Sequence, residues 1–320
     1  MIKYVIKRLL LMIPVVLGVV LLVFTILYFS PGDAVDVIAA TDWTDAEKDA
    51  LRHEMGLDQP YYKQLLNYYK QIFIDHDFGK ALVNKTDILS DLKERIPFSV
   101  TFGLLGIFFS VVLGIPLGIY AALHQDKPGD FGATVLALLG NSTPGFFLAL
   151  LLVLLFSYKL GWFPAYGLGS IRHWILPILA NCFGGVANMC RQTRSGMLEV
   201  IRSDYVVMAK AKGLSRKTVI WKHALPNALI PLITSAGMMF GQMLGGGLII
   251  EKVFSIPGMG MYLVTAVQQR DTNAVQGGVI ITSIFFSLVM LAADLAIAFA
   301  DPRIKAKYQK TKKRRRTVDA

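Results

Sequence analysis

The chain has 320 residues, a net charge of +11, and a composition that is 54% hydrophobic but only 17% charged. Soluble domains carry roughly 25% charged residues, so an ordinary soluble globular protein is excluded. Its two cysteines, Cys182 and Cys190, fall in one apolar run, which excludes a disulfide-stapled scaffold and gives no zinc-site spacing.

The first apolar run is Leu9–Phe29, 21 residues without a charge. It is longer than the roughly 7–15 residues of a signal-peptide core, and no small-x-small cleavage site follows at Tyr28-Phe29-Ser30-Pro31. The run therefore reads as an uncleaved membrane span. Residues 30–97 follow, with thirteen acidic side chains against eight basic ones, a net of −5. Their pattern is that of a folded segment. A short helix is expected over Asp42–Met55, with Thr44 as N-cap, Glu47 three residues on as its capping-box partner, and Gly56 as the stop. After Pro60, the helical spacing of Tyr61, Leu65, Tyr68, Tyr69 and Ile72 predicts a second, amphipathic helix.

Five more apolar runs follow: Phe98–Leu123, Phe131–Tyr158, Trp174–Cys190, Ala224–Ile250 and Thr272–Ala300. Crossing the hydrocarbon takes roughly 20 apolar residues, so the fold class is an all-α integral membrane protein with six spans. The run Trp174–Cys190 is the shortest, with 17 residues, and contains Pro177 and Gly184-Gly185. The division of the chain is then 1–29, start and first span; 30–97, extracytoplasmic segment; 98–300, a core of five spans with a cytoplasmic loop at 196–227; and 301–320, a basic tail. No internal repeat is visible, which argues against inverted-repeat transporters.

Basic residues set the orientation. Lys3, Lys7 and Arg8 stand at the start without an acid. Residues 191–223 carry eight basic side chains against Glu199 and Asp204, and the tail carries nine against Asp301 and Asp319. With six spans these three segments share one side, the cytoplasm, and both termini lie there. The loop Gln125–Asp130 alone adds nothing to the basic surplus. That surplus is a matter of topology and anionic lipid. Nucleic acid is not an expected partner.

The segment Asp204–Pro231 carries the functional signal. Met197–Ala211 has helix-compatible residues and neither Pro nor internal Gly. Gly213 is a left-handed stop, and Ser215 caps a new helix. Leu214 and Val219 then occupy the positions of a hydrophobic staple, and Pro226 and Pro231 bend the chain where it meets the bilayer. Such an element, basic and apolar at once, suits either insertion into a groove of a soluble partner or an interfacial helix lying on lipid. The residues themselves leave both readings open.

Permeases of ATP-binding-cassette importers carry a loop with Glu-Ala-Ala, three residues, Gly, nine residues, then Ile-x-Leu-Pro. Aligned on Gly213, this chain has Val207-Met208-Ala209 and His223-Ala224-Leu225-Pro226 at matching spacing, and differs at the first two positions and at the Ile. Those differences resemble the peptide/nickel branch, through Asp204, Tyr205, Ala209, Lys210, Ala211, Lys212, Gly213, Leu214, Ser215, Lys222, His223, Ala224, Asn227 and Ala228. Similar stretches run along the chain: Tyr4–Leu9, Pro31-Gly32-Asp33, Leu57–Pro60, Asp77-Phe78-Gly79, Glu251–Gly260 and Asp301-Pro302-Arg303. The chain thus resembles the B-type permease of a dipeptide/oligopeptide/nickel importer in a bacterial cytoplasmic membrane. The resemblance implies half of a translocation pathway for di- or oligopeptides, with nickel or another small solute such as glutathione as the alternative. It also implies a second, homologous permease as heterodimer partner, two ATPase subunits and an extracytoplasmic binding protein. Asp204, Tyr205, Ala209, Ala211, Gly213, Leu214, Ser215, His223, Pro226 and Asn227 are the residues it implies for coupling to the ATPase.

No phosphate-binding loop of the Gly-x-x-x-x-Gly-Lys-Ser/Thr type occurs, so ATP hydrolysis is expected on partners and no cofactor on this chain. Gly241–Gly247 reads as close helix packing. An ion-coupled secondary transporter is the rival reading, and Asp294 is the ionisable residue well inside a span that it would use. An intramembrane enzyme finds no support: His53, His76, His124, His173 and His223 are scattered, with no His-Glu-x-x-His or Gly-x-Ser-x-Gly. Nor do His53, His76, Cys182 and Cys190 show metal-site spacing.

Overall fold

The computed structural model describes residues 2–39 and 43–300, and apart from one β-bridge between Lys80 and Asp87 their regular structure is helical. The helices are α1 Ile2–Tyr28, α2 Ala34–Ile38, α3 Asp45–Glu54, α4 Tyr61–Phe73, α5 Ile88–Leu123, α6 Pro128–Ser142 and α7 Gly145–Leu152. They continue as α8 Arg172–Ile201, α9 Asp204–Ala211, α10 Arg216–Thr218, α11 Leu225–Val253, α12 Met259–Gln268 and α13 Thr272–Ala300. Two π-helical segments, Val153–Lys159 and Val219–Ala224, extend α7 and join α10 to α11.

By length and composition, Arg8–Tyr28, Ile88–Leu123 and Thr272–Ala292 are able to cross a membrane, and two bent helix pairs raise the number to five if each is one span. The expected third span, Phe131–Tyr158, is not straight. It bends by 103° between Pro128–Ser142 and Gly145–Lys159. The cause is Pro144, which offers no N–H and drives Thr143 to an extended conformation at φ −92°, ψ 118°. The fifth bends by 43° at Pro231. The expected fourth, Trp174–Cys190, lies wholly inside the 30-residue α8, where Asn181 and Asn188 dilute the apolar run. Three expectations fall outside the described residues: the tail 301–320, the start of the first short helix at Asp42, and the side chain of Asp294.

The described residues form two units by contact. One comprises Ile2–Ser99 and Pro257–Val289. Its short helices are built from polar caps. Asp33 and Asp36 cap α2 reciprocally, and Thr44 and Glu47 form the expected capping box on α3. Arg52 on α3 then reaches Asp33 at 2.6 Å, Asp49 at 3.0 Å and Asp36 at 3.3 Å. The aromatic stripe of α4 faces α1: Tyr61 hydrogen-bonds Thr25 at 2.7 Å, and the Tyr69 hydroxyl donates to the Leu17 carbonyl at 2.7 Å. Val20, Ile72 and Ile280 form one core cluster here, and Ile88, Leu92, Met259 and Ala274 belong to another. Asp271, almost fully buried, caps α13 through the Ala274 N–H at 2.9 Å and accepts from the Val83 N–H at 3.0 Å.

The other unit comprises Val100–Ile256 and the chain from Met290. Helix α8 packs against α6, α7 and α11. Small residues permit close approach: a Cβ at Gly118 of α5 would stand 2.5 Å from the Cys190 carbonyl oxygen. A bidentate ion pair joins Arg194 of α8 to the buried Asp130 of α6, at 2.5 and 2.7 Å. Asp130 is one of the acids that kept the loop Gln125–Asp130 from adding to the basic surplus, and the fold neutralises it internally.

Candidate functional site

The segment 196–227 lies within one unit, and its conformation follows from local chemistry. The single helix expected over Met197–Ala211 is instead two. Helix α8 ends at Ile201, and the chain turns at Arg202 and Ser203 before α9 begins at Asp204. Ser203 adopts an extended conformation and its hydroxyl donates back to the Val200 carbonyl at 2.6 Å. A serine bonding its own neighbours competes with helix continuation, and this is the signal that the absence of Pro and Gly concealed.

Helix α9 stops as the sequence predicts. Gly213 has φ +78°. Its N–H bonds the Lys210 carbonyl at 3.0 Å and that of Leu214 bonds the Ala209 carbonyl at 3.4 Å, the paired closure of a Schellman motif. Nothing lies within 4 Å of a Cβ built on Gly213, so glycine is required there by backbone conformation and not by space. Ser215 then accepts the Thr218 N–H at 3.3 Å, as an N-cap should. The expected staple is one-sided: Val219 is buried, whereas Leu214 remains exposed. The π-helical Val219–Ala224 is a feature sequence reasoning missed. Its wider turn carries the Leu225 N–H back to the Ile220 carbonyl, five residues away.

The two faces of this segment differ. Met197, Val206, Ala209, Val219, Ala224, Leu225 and Ala228 form a core cluster with Ile119 and Ala122 of α5. On the outside, Tyr205, Val207 and Leu214 are exposed, as are Met208 at 59% and Trp221 at 60%. Lys210, Lys212, Arg216, Lys217 and Lys222 are exposed as well. The placement of the expected coupling residues is therefore uneven. Asp204, Tyr205, Ala211, Gly213, Leu214, Ser215, Pro226 and Asn227 are exposed, His223 is half-buried, and Ala209 is buried in the cluster. Asn227 turns inward on the segment, its amide donating to the His223 carbonyl at 2.9 Å.

A second feature of the same unit was illegible in the sequence. A cavity of about 280 Å³ is lined by Asn141, Asn181, Asn188, Gln242 and Thr143 together with Met239 and Met243. No side chain on its wall is charged. Four carboxamides from α6, α8 and α11, all within long apolar runs, thus meet at one place. Their scarcity in those runs was the available signal; which of them converge depends on helix packing.

Among the described residues, no three His, Cys, Asp or Glu side chains are grouped to hold a metal ion. Cys182 and Cys190 are buried free thiols, and His53 pairs with Asp58 at 2.6 Å.

The chain as a whole is similar to known proteins. Residues 114–306 match the family described as binding-protein-dependent transport system inner membrane component, and residues 1–103 match its N-terminal companion family. The chain is 38% identical to the glutathione transport system permease protein GsiC of Salmonella choleraesuis (strain SC-B67) over 96% of its own length and 100% of that protein. Against the protein of the same name from Escherichia coli (strain K12), identity is 36% with the same coverage. In fold it resembles an inward-facing MetNI methionine ABC transporter, with a TM-score of 0.56 and 16% identity over 67% of this chain and 98% of that one. An amino acid ABC transporter gives a TM-score of 0.53 and 15% identity over 68% and 99%.

Proposed function

The chain belongs to the family of binding-protein-dependent transport system inner membrane components, and from that premise we propose that it forms half of the translocation pathway of an ATP-driven importer of short peptides. As a permease of a binding-protein-dependent ABC importer it is an integral, multi-pass inner-membrane subunit and not a catalytic one. The family implies an ATPase and a binding protein as partners. In this reading two copies of the ATPase and a second, homologous permease complete the complex.

The observation that carries the reading is the division of faces on 204–227. Val206 and Ala209 are buried in the unit's own core, while Tyr205, Val207, Met208 and Trp221 are left exposed on a short, capped element. Exposed aromatic residues and Met in a segment that also exposes five basic side chains suit a protein groove, since Trp and Tyr dominate binding energy at interfaces. The ATPase is the proposed occupant, with segment 196–227 on the cytoplasmic side together with both termini, and residues 30–97 facing out toward the binding protein. The peptide class is supported by the names of the glutathione permeases, glutathione being a tripeptide, and by the uncharged carboxamide cavity. Carboxamides donate and accept hydrogen bonds at once, as a peptide group does, without an ionic anchor that would hold a solute too tightly to leave.

Gly213→Asp tests this. An added negative charge is the main local change, because no atom crowds the position and aspartate, like asparagine, tolerates a φ near +78°. Membrane insertion should persist, while ATP-driven uptake is lost and ATP hydrolysis proceeds uncoupled from it. Normal uptake by the variant in a preparation with normal amounts of ATPase would refute the docking assignment.

A further inference from the structure

Helices α6 and α8 run antiparallel, and their contacts keep one register along the pair. Asp130 meets Arg194 at one end, and Ala133 packs with Cys190 in a buried cluster. Toward the other end, a Cβ on Gly140 would stand 2.4 Å from that of Ala187. The two helices thus touch along most of α6. Both also reach the carboxamide cavity, α6 through Asn141 and α8 through Asn181 and Asn188. The C-terminal end of α8 leads through Arg202 and Ser203 into the segment that begins with α9. One helix pair therefore joins that exposed segment to the cavity wall.

The ion pair sits at the end nearest that segment. Arg194 Nε donates to Asp130 Oδ1 at 2.5 Å and Nη2 to Oδ2 at 2.7 Å, and the Asp126 N–H donates to Oδ2 at 3.0 Å. Both carboxylate oxygens are in use, on a side chain that is buried. Arg202, in the turn before α9, donates from Nη2 to Gln125 Oε1 at 3.3 Å. The loop Gln125–Asp130 is thereby tied to α8 at two places. Such an ion pair is a poor choice if adhesion is all that is needed. Apolar side chains of similar volume hold a buried contact as well or better, because two charges must otherwise be desolvated. What the guanidinium fork adds is geometry: two parallel bonds to one carboxylate tolerate little sliding or rotation.

We propose that Asp130 and Arg194 are positioning residues for transport: their bidentate pair locks the register of α6 on α8, so that a displacement of segment 204–227 moves the Asn141 side of the cavity together with the Asn188 side. Without the fork, α8 follows the segment while α6 lags, and the cavity no longer changes shape as a unit. Neither residue is assigned a contact with solute or ATPase. The inference rests on the reading of 204–227 as the ATPase-docking segment, and the experiment separates the two.

The test uses the assembled importer in nanodiscs with Asn141→Cys or Asn188→Cys as the reporter, one on each helix. Cys182 and Cys190 are buried, so maleimide labelling reports the introduced thiol. Labelling rates are compared without nucleotide and with ATP plus orthovanadate, which arrests the ATPases in one state. Both reporters are expected to respond when the ion pair is intact. Arg194→Lys keeps the charge and loses the fork. It should leave the Asn188→Cys response in place and shrink that of Asn141→Cys about threefold or more, within the range by which residues along a coupling route alter coupling. Asp130→Leu combined with Arg194→Leu should show the same split, with an equal or higher melting temperature. A merely structural pair would change stability and leave the two responses matched. The proposal is overturned if both reporters respond equally in either variant, which leaves the docking reading standing. It also falls if neither variant inserts and assembles, because the pair is then a folding element. If neither reporter responds with the ion pair intact, the docking reading fails and takes the inference with it.

Discussion

Segments 33–58 and 204–227 are both short capped helices between long apolar runs, and they spend their side chains in opposite ways. In 33–58 the polar groups close on one another: Asp33 with Asp36, Thr44 with Glu47, Arg52 with three aspartates, and His53 with Asp58. In 204–227 the Gly213 closure and the Ser215 cap are made, yet Tyr205, Val207, Met208, Leu214 and Trp221 stand exposed in a segment that also exposes five basic side chains. Water tolerates the first arrangement indefinitely. The second leaves several large apolar side chains exposed on one short segment, and exposed apolar surface of that kind marks interaction sites in folded proteins when it is contiguous. A segment that completes its own bonds is built for shape, and one that leaves its large apolar groups uncovered is built for a partner.

The strongest way to break this comparison is Trp221→Ala. If the exposed face is an interface, truncating its largest anchor should weaken ATPase association by about 2 kcal/mol, roughly thirtyfold. The permease's own melting temperature should hardly move, because Trp221 contributes little to the fold. Quantitative co-purification against thermal unfolding decides it; a fall in melting temperature with unchanged association would assign Trp221 to the core.

Next comes the turn itself. Gly213→Val should cost about 1–2 kcal/mol of local stability through backbone strain, and Gly213→Asn much less, since asparagine tolerates the left-handed region. Equal effects of the two in hydrogen exchange at Lys210–Ser215 would show that the Schellman closure does not depend on φ.

On the other side, Thr44→Ala removes one cap from a segment that depends on caps. It should destabilise α3 by about 1 kcal/mol and speed proteolysis near 45–54, with ATPase association untouched. Loss of association would erase the distinction between the two segments.

The smallest effect concerns pH. The hydrogen bond to Asp58 holds the His53 pKa above its ordinary value of 6.5, and the same bond lowers that of Asp58. The His53 contribution is therefore fully present below pH 6.5 and fades as pH rises through the raised pKa. The Asp58 contribution is present above its ordinary carboxylate range and fades as pH falls through the lowered one. NMR titration should find a raised His53 pKa that returns toward 6.5 in Asp58→Asn. No change between the two proteins would dismiss the pair.

Much of both segments was legible in the chain because their cues are local. A threonine three residues before a glutamate, a glycine after a helical run, and a serine before another are read within four or five residues of backbone. The break at Ser203 and the π-helical turn at Val219–Ala224 were not legible, since each trades one backbone hydrogen-bond pattern for another of similar local energy. The bend at Pro144 lay between, its proline visible in the run but its 103° angle not. The coupling residues were placed by resemblance, and the fold then sorted them: Ala209 proved to be buried, while Trp221, absent from the set, is among the most exposed apolar residues there.

The sequence by itself determined that the chain is helical and lies in a membrane, where its helices stop, and where basic residues accumulate. Periodicity, turn chemistry and charge are properties of neighbours along the chain, and no packing is needed to read them. Only the tertiary structure decided which of those residues meet. It set Arg194 against Asp130 across 64 positions and gathered carboxamides from separate helices onto two cavity walls. Such encounters depend on the rotation and depth of whole helices, which are fixed by the summed packing of many small contacts rather than by any motif.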